Sequence, residues 1–183
     1  SSVVHIFEAV NANDGDVNTY WEGSSNPSTL TMDMDGNVAL NTIVLKLNPS
    51  AAWATRTQTI EVLGRADGAS NFSTLVAAKA YTFNPSAQNT VVIPVTGDAR
   101  HIQLRITSNT GSGSGQIAEF EVYGTPAPKP DLTISEISFS NNSPVETDSI
   151  TLTATVKNIG TAAAAASDVK FYLDNKLVGT ANT

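Results

Sequence analysis

The sequence predicts an all-β protein, one β-sandwich followed by part of another, and three observations carry that reading. Apolar and polar residues alternate over short runs, the mark of half-buried strands. Turn-forming residues separate these runs at short intervals. No stretch sustains the 3.6-residue apolar period of a helix.

Taken in order, Leu30, Met32 and Met34 alternate with Thr31 and Asp33, and Ile43, Leu45 and Leu47 with Val44 and Lys46. Ile60 and Val62 come next, then Phe72–Phe83, then Val91, Ile93 and Val95, then Ile102, Leu104 and Ile106, and last Phe120 and Val122. Between them lie Asp35-Gly36-Asn37, Asn48-Pro49-Ser50, Ala66-Asp67-Gly68, Asn84-Pro85, Thr96-Gly97-Asp98 and the run Gly111–Gly115. Seven or eight short strands at this spacing make a β-sandwich. Pro94 has no N–H to give a ladder, so its strand is expected at an edge or with a bulge. Trp53 and Arg56 are placed in the connection Asn48–Thr57, outside any strand. If successive strands run antiparallel, the loops Asn11–Thr29, Asn48–Thr57, Asn84–Asn89 and Ser108–Gln116 share one end. The turns Asp35–Asn37, Gly64–Gly68 and Thr96–Ala99 then share the other.

The character changes near Gly124. Thr125-Pro126-Ala127-Pro128-Lys129-Pro130 reads as a short, semi-rigid linker. The expected division is therefore a first domain at 1–124, a linker at 125–130 and a second domain at 131–183. Beyond the linker, strands are expected at Leu132–Phe139, along Ile150, Leu152, Ala154 and Val156, along Val169, Phe171 and Leu173, and at Leu177-Val178 after an Asp174-Asn175 turn. Ala162–Ala166 reads as a loop or strand entry. These strands make half of an immunoglobulin-like sandwich, and the chain is expected to be a fragment of a longer modular protein.

Composition narrows the function. Charged residues are 15% of the chain, below the roughly 25% usual for soluble domains. The net charge is −7 and there is no basic stripe, which argues against nucleic acid and against an anionic membrane. The chain has no cysteine, so thiolate metal sites and cysteine nucleophiles are excluded. Neither a signal peptide nor an apolar run of membrane length is present. The two histidines, His5 and His101, have no Ser/Asp partner nearby in sequence, and His101 is expected to open a strand. Catalysis is accordingly not expected in this chain.

One stretch carries unusual chemistry. Asn11–Trp21 reads N-A-N-D-G-D-V-N-T-Y-W, with Asp14 and Asp16 two residues apart among Asn, Thr and Gly. Such a loop is either a solvated Asx-rich turn or an oxygen-rich seat for a hard cation such as calcium. Glu119 and Glu121 point away from the apolar face of Phe120 and Val122, and Glu119 starts its strand at the same predicted end.

The motifs D-G-D-V-N-T-Y-W, T-I-V-L-K-L, W-A-T-R-T-Q-T-I-E-V-L-G and Q-I-A-E-F-E-V-Y-G, over about residues 1–124, resemble the discoidin or coagulation factor 5/8 type C family, which includes the family 32 carbohydrate-binding modules. The segment from Pro130-Asp131-Leu132 through T-L-T-A-T-V-K-N-I-G resembles the CARDB immunoglobulin-like domain. The first resemblance implies a galactose-binding-like jelly roll, with a start slightly late relative to the family. It also implies a structural calcium held by Asp14, Asp16, Thr19 and Glu119 side chains and by Asn11 and Ala118 carbonyls. A sugar site needs an aromatic platform and planar hydrogen-bonding groups around it. Trp53 and Arg56, exposed on their loop, fit that need, with Glu22, Asn26, Asn109 and Gln116 as the polar rim. Trp53 could instead be a packed loop anchor and Arg56 a salt bridge to a loop carboxylate. Trp21 is expected in the core, capping the sandwich. Together these readings describe a non-catalytic, calcium-stabilised module that targets a secreted bacterial glycoside hydrolase to polysaccharide. The alternative is a cell-surface adhesion module that binds protein or phospholipid.

Overall fold

Alternate apolar positions decide the strands, and the structure, a computed structural model describing residues 6–183, divides the chain after Ala127 into two units. In the first, a 3-10 turn at Ala9–Ala12 precedes β1 (Trp21–Glu22) and β2 (Ser28–Lys46). A turn at Ala51–Trp53 leads into β3 (Arg56–Arg65) and β4 (Ser73–Phe83), and a third at Pro85–Ala87 into β5 (Thr90–Asn109). β6 (Gln116–Ile117) and β7 (Glu119–Pro126) complete it. His5 lies outside the described residues.

The expected strands on either side of Asp35–Asn37 are one strand, and so are those on either side of Thr96–Asp98. β2 and β5 pair antiparallel over nearly their whole length, with a register break where Asp33 faces His101 and Val38 faces Ala99. Met34, Asp35, Gly36 and Asn37 are accommodated there as a bulge with Asp35 at φ 59°, and Gly97, at φ 132°, faces Leu40 beside the next register shift. Bulges bend the strand that carries them. Before the bend, Ser28–Asp33 completes the order β4-β3-β5-β2, and beyond it Val38–Lys46 pairs with β7. One hydrogen-bonded sheet thus supplies both layers. Ile43 and Leu45 from one layer join Ile60, Leu104 and Ile106 from the other in a single core, all fully buried.

Pro94 lies in the half of β5 that, among the described residues, pairs with β2 alone, next to the register shift between Leu40 and Thr42. It sits both at an edge and beside a bulge, as expected. His101, expected to open a strand, lies within β5. At the bend, the Arg100 guanidinium donates to Asp33 at 2.9 and 3.1 Å and to Asp67 at 3.1 Å. These bonds, with the Asp35 N–H, hold the Asp33 carboxyl well below the usual carboxylate range.

Buried Gln58 in β3 ties the layers together at the other end. Its Nε2 donates to the Gln116 carbonyl at 2.8 Å, and its Oε1 accepts the Gln116 N–H at 2.9 Å. The side chain imitates a neighbouring strand. Gln58→Ala leaves two buried backbone groups unpaired, so denaturant titration should show a loss of about 2–3 kcal/mol. Gln58→Glu, which can accept but not donate when ionised, should not restore it.

The first unit runs past the boundary expected at Gly124. β7 continues through Pro126, pairing with Val38, and the Ala127 N–H donates to Asn37 O at 2.8 Å. In the second unit, β8 (Leu132–Phe139) pairs with β9 (Leu152–Asn158), and β10 (Asp168–Leu173) with β11 (Lys176–Asn182) through Asp174 and Asn175, both at positive φ. No side chain here is fully buried, and Ile134, Ile137, Phe139, Leu152 and Phe171 line an open groove of about 250 Å³. Ala162–Ala166 is a loop. This is the half-sandwich that the alternation predicts.

Candidate functional site

Because the β2–β5 ribbon bends, both of its ends arrive at the same place. Ala118 N–H donates to Lys46 O at 2.8 Å, Leu47 N–H to Asn89 O at 3.0 Å, and Thr110 N–H to Thr57 O at 3.0 Å. Gly23 N–H donates to Gly115 O at 2.9 Å. The four loops expected at one end do meet there. The turn at Asp67 lies at the other, its N–H on Asn37 Oδ1.

The polar candidates form one network. β1 pairs with β6 so that Glu22 stands opposite Gln116, and cross-strand partners share a face. Gln116 Nε2 donates to Glu22 Oε2 at 3.1 Å, while Ser112 and Ser114 hydroxyls donate to Glu22 Oε1 at 2.8 and 3.1 Å. Gln116 Oε1 accepts from Arg56 Nη1 at 2.7 Å and from Asn109 Nδ2 at 3.2 Å. Asn26 stands apart, exposed, with its amide clasping Gly113 O at 2.7 Å. Gln116 itself is buried, so it positions its neighbours more than it faces solvent.

Arg56 opens β3 and is not in the connection before it. Inward positions of this strand run Val62, Ile60, Gln58 and Arg56, so the guanidinium sits where the core reaches the mouth of the sandwich. Its Nε donates to Trp53 O at 2.9 Å, its Nη2 to the same carbonyl, and its Cζ stands 4.6 Å from the Trp53 ring centre. Burial pulls Arg56 down from its ordinary pKa, opposed by Glu22 and Tyr20. The considered salt bridge to a loop carboxylate is replaced by Gln116 and a carbonyl. Trp53, expected exposed on its loop or else packed as an anchor, is half-buried against the core. Tyr20 meets it edge-on at 4.8 Å, and Phe7 stacks on Tyr20 at 4.4 Å. Trp21 is fully buried, as expected.

Phe7, Tyr20, Ser112 and Ser114 were not among the sequence candidates. For Tyr20 the signal was there: it precedes a core tryptophan, and neighbours on an extended chain face opposite ways. Gly111 is pressed against Arg56, so an added Cβ would stand 2.6–2.8 Å from its Nε, Cζ and Cδ. Gly111→Ala should therefore displace the guanidinium and lower ligand retention several-fold, with the melting temperature nearly unchanged.

The Asp-rich loop packs against the start of β7. Thr19 Oγ1 donates to Asp14 Oδ2 at 2.7 Å, and Asp14 Oδ1 accepts the Asp16 N–H at 2.9 Å. Those bonds hold the Asp14 carboxyl below its ordinary value. Glu119 is pushed up, first by burial and then by Asp14. Its Oε1 is buried without a partner. One oxygen of Asp16 is engaged locally: its Oδ1 accepts from Asn18 N–H and Nδ2 at 2.9 and 2.7 Å. Among the described residues no three acidic or imidazole side chains converge on one point. The Asn11 side chain reaches back, its Nδ2 donating to Tyr20 O at 3.2 Å. The side chains that come together where a metal could be held are Asp14 and Glu119, with the Thr19 hydroxyl beside them.

The F5/8 type C domain model matches residues 2–120. The chain belongs to the F5/8 type C family. Residues 129–183 match the CARDB model. No curated protein matches the chain. Among solved structures, this F5/8 type C chain is similar to the CBM32 of AlyQ in complex with 4,5-unsaturated mannuronic acid, at TM-score 0.55 and 18% identity over 67% of this chain and 90% of that one. It is similar to a pectin-binding carbohydrate-binding module at 0.57 and 20%, over 69% and 88%. The family 32 module from C. perfringens NanJ in complex with galactose gives 0.56 and 21%, over 67% and 88%. At these identities the likeness establishes the fold, an all-β sandwich.

Proposed function

We propose that this chain is a non-catalytic carbohydrate-binding module, stabilised by calcium, that targets a secreted glycoside hydrolase to polysaccharide. The observation that carries the reading is the loop-end cluster: Trp53, Tyr20 and Arg56 beside the amides and carboxylate of Asn109, Gln116 and Glu22. Aromatic faces suit the apolar face of a pyranose, and planar polar groups suit its hydroxyls. Solved structures of the same fold are described as bound to galactose and to unsaturated mannuronic acid. The fold also recurs in a larger family 89 glycoside hydrolase, of which this chain covers 13%, and that supports a role beside a catalytic neighbour. Targeting then works through effective concentration on an insoluble glycan.

The orphaned Glu119 Oε1 next to Asp14 fits an oxygen-seeking cation. Asp14, Thr19 and Glu119 would hold it, with Asn11 and Ala118 carbonyls, and Asp16, whose Oδ1 is taken by Asn18, would join through Oδ2. When bound, the ion supplies charge neutralisation and pins the first loop to β7.

The adhesion reading draws on one observation, the exposure of Ile6 (68%) and Val10 (63%) near the same end. Co-sedimentation separates the two. Retention on insoluble glucan, galactan or bacterial cell wall, with none on phospholipid vesicles, is the expected result, and the reverse pattern selects adhesion.

A further inference from the structure

The sign of the charge around the loop-end site limits what can enter it. Among the described residues, that end and the first positions of the strands meeting it carry Glu8, Asp14, Asp16, Glu22 and Glu119 against two cations, Arg56 and Lys46, which stands opposite Glu119. Arg56 is partly committed, with three of its five N–H groups donating within the protein. Its Nε and Nη2 donate to Trp53 O, its Nη1 to Gln116, and its Cζ lies over the Trp53 ring. A carboxylate or sulfate is bound well by an arginine that can offer two parallel donors, and here the Nε–Nη2 pair is spent on the Trp53 carbonyl. Lys46, the other cation, is tied to Glu121.

Glu22 makes the complementary statement. Its Oε1 already accepts two hydroxyls, while its Oε2 accepts only the Gln116 amide, which leaves acceptor capacity on an anion. A sugar hydroxyl can fill that capacity, and a carboxylate cannot. A divalent cation at Asp14 and Glu119 would neutralise part of this field, and the remainder stays acidic beside Glu22.

Resting on the carbohydrate-binding reading above, we propose that the site selects uncharged glycans and rejects polyuronates and sulfated polysaccharides. Repulsion across a solvated surface is modest per charge, on the order of threefold per uronate near the site at low salt, and it fades as salt screens it.

The test uses the full chain, saturated with calcium, on one galactan and the same galactan oxidised at C6 to its uronate. Affinity electrophoresis is run at low and at high sodium chloride. The expected result is retention by the neutral polymer at both salts, and retention by the oxidised one weaker by about tenfold at low salt and partly recovered at high salt. Glu8→Lys, an exposed position outside the network, should narrow the gap. Equal or tighter retention by the oxidised polymer overturns the selectivity and leaves carbohydrate binding standing. Retention by neither polymer, repeated with a glucan pair, overturns both.

Discussion

Calcium should raise the melting temperature of this protein, and Glu119→Ala should abolish the rise. In the absence of an ion, the Glu119 carboxyl is pushed up by burial and by the Asp14 carboxylate beside it, and one of its oxygens is buried with no partner. Both penalties vanish when a hard cation takes that oxygen and Asp14 together. Binding only to the folded state stabilises by about 4 kcal/mol at a thousandfold excess over Kd. For a unit of this size that is on the order of 10 °C. Glu119→Gln should remove most of the calcium response while raising the melting temperature of the ion-free protein, because the neutral amide is cheaper to bury. If EDTA leaves the wild-type melting curve unmoved, the loop is held by its own Asx and Thr19 hydrogen bonds and carries no ion.

Trp53→Ala should lower polysaccharide retention more than tenfold, a loss of over about 1.4 kcal/mol of binding. It should also cost stability, because Trp53 packs on the core and takes the Tyr20 edge. A loss of about 1–2 kcal/mol is expected for truncating a half-buried aromatic at this position. Two controls separate contact from packing. Arg56→Lys keeps the charge but not the fork that grips the Trp53 carbonyl and Gln116, so it should weaken retention several-fold. Added ligand should raise the wild-type melting temperature and leave that of Trp53→Ala unchanged. Full retention by Trp53→Ala would make the tryptophan a loop anchor.

Much of the fold was legible because period-2 alternation reports directly on burial. Ile43, Leu45, Ile60, Val62, Ile102, Leu104 and Ile106, all read as inward-facing, are fully buried. The same alternation held an unread signal. Continued upstream from Val62 and Ile60 it reaches Gln58 and Arg56, polar residues in core register, which is where a sandwich keeps a tie or a site. Turn residues were less reliable. Asp35-Gly36-Asn37 and Thr96-Gly97-Asp98 look like hairpin turns, yet they lie near one another across one ribbon and bend it without reversing it. Gly, Asn and Asp specify a backbone angle, and only the hydrogen-bond partner decides whether the chain turns back.

By itself the sequence determined an all-β chain and which positions of its strands face the core, and its resemblance to the family pointed to the pairing of the Asp-rich loop with Glu119. The first follows from local chemistry, since burial periodicity is written residue by residue. The tertiary structure alone decided that Trp53 is half-covered by Arg56 and Tyr20, that Asp16 turns to Asn18, and that Gln116 links Glu22, Arg56 and Asn109. Those partners lie up to 94 residues apart. A side chain with several hydrogen-bonding atoms takes whichever partners the bent ribbon brings within reach, and that choice depends on distances that folding alone creates.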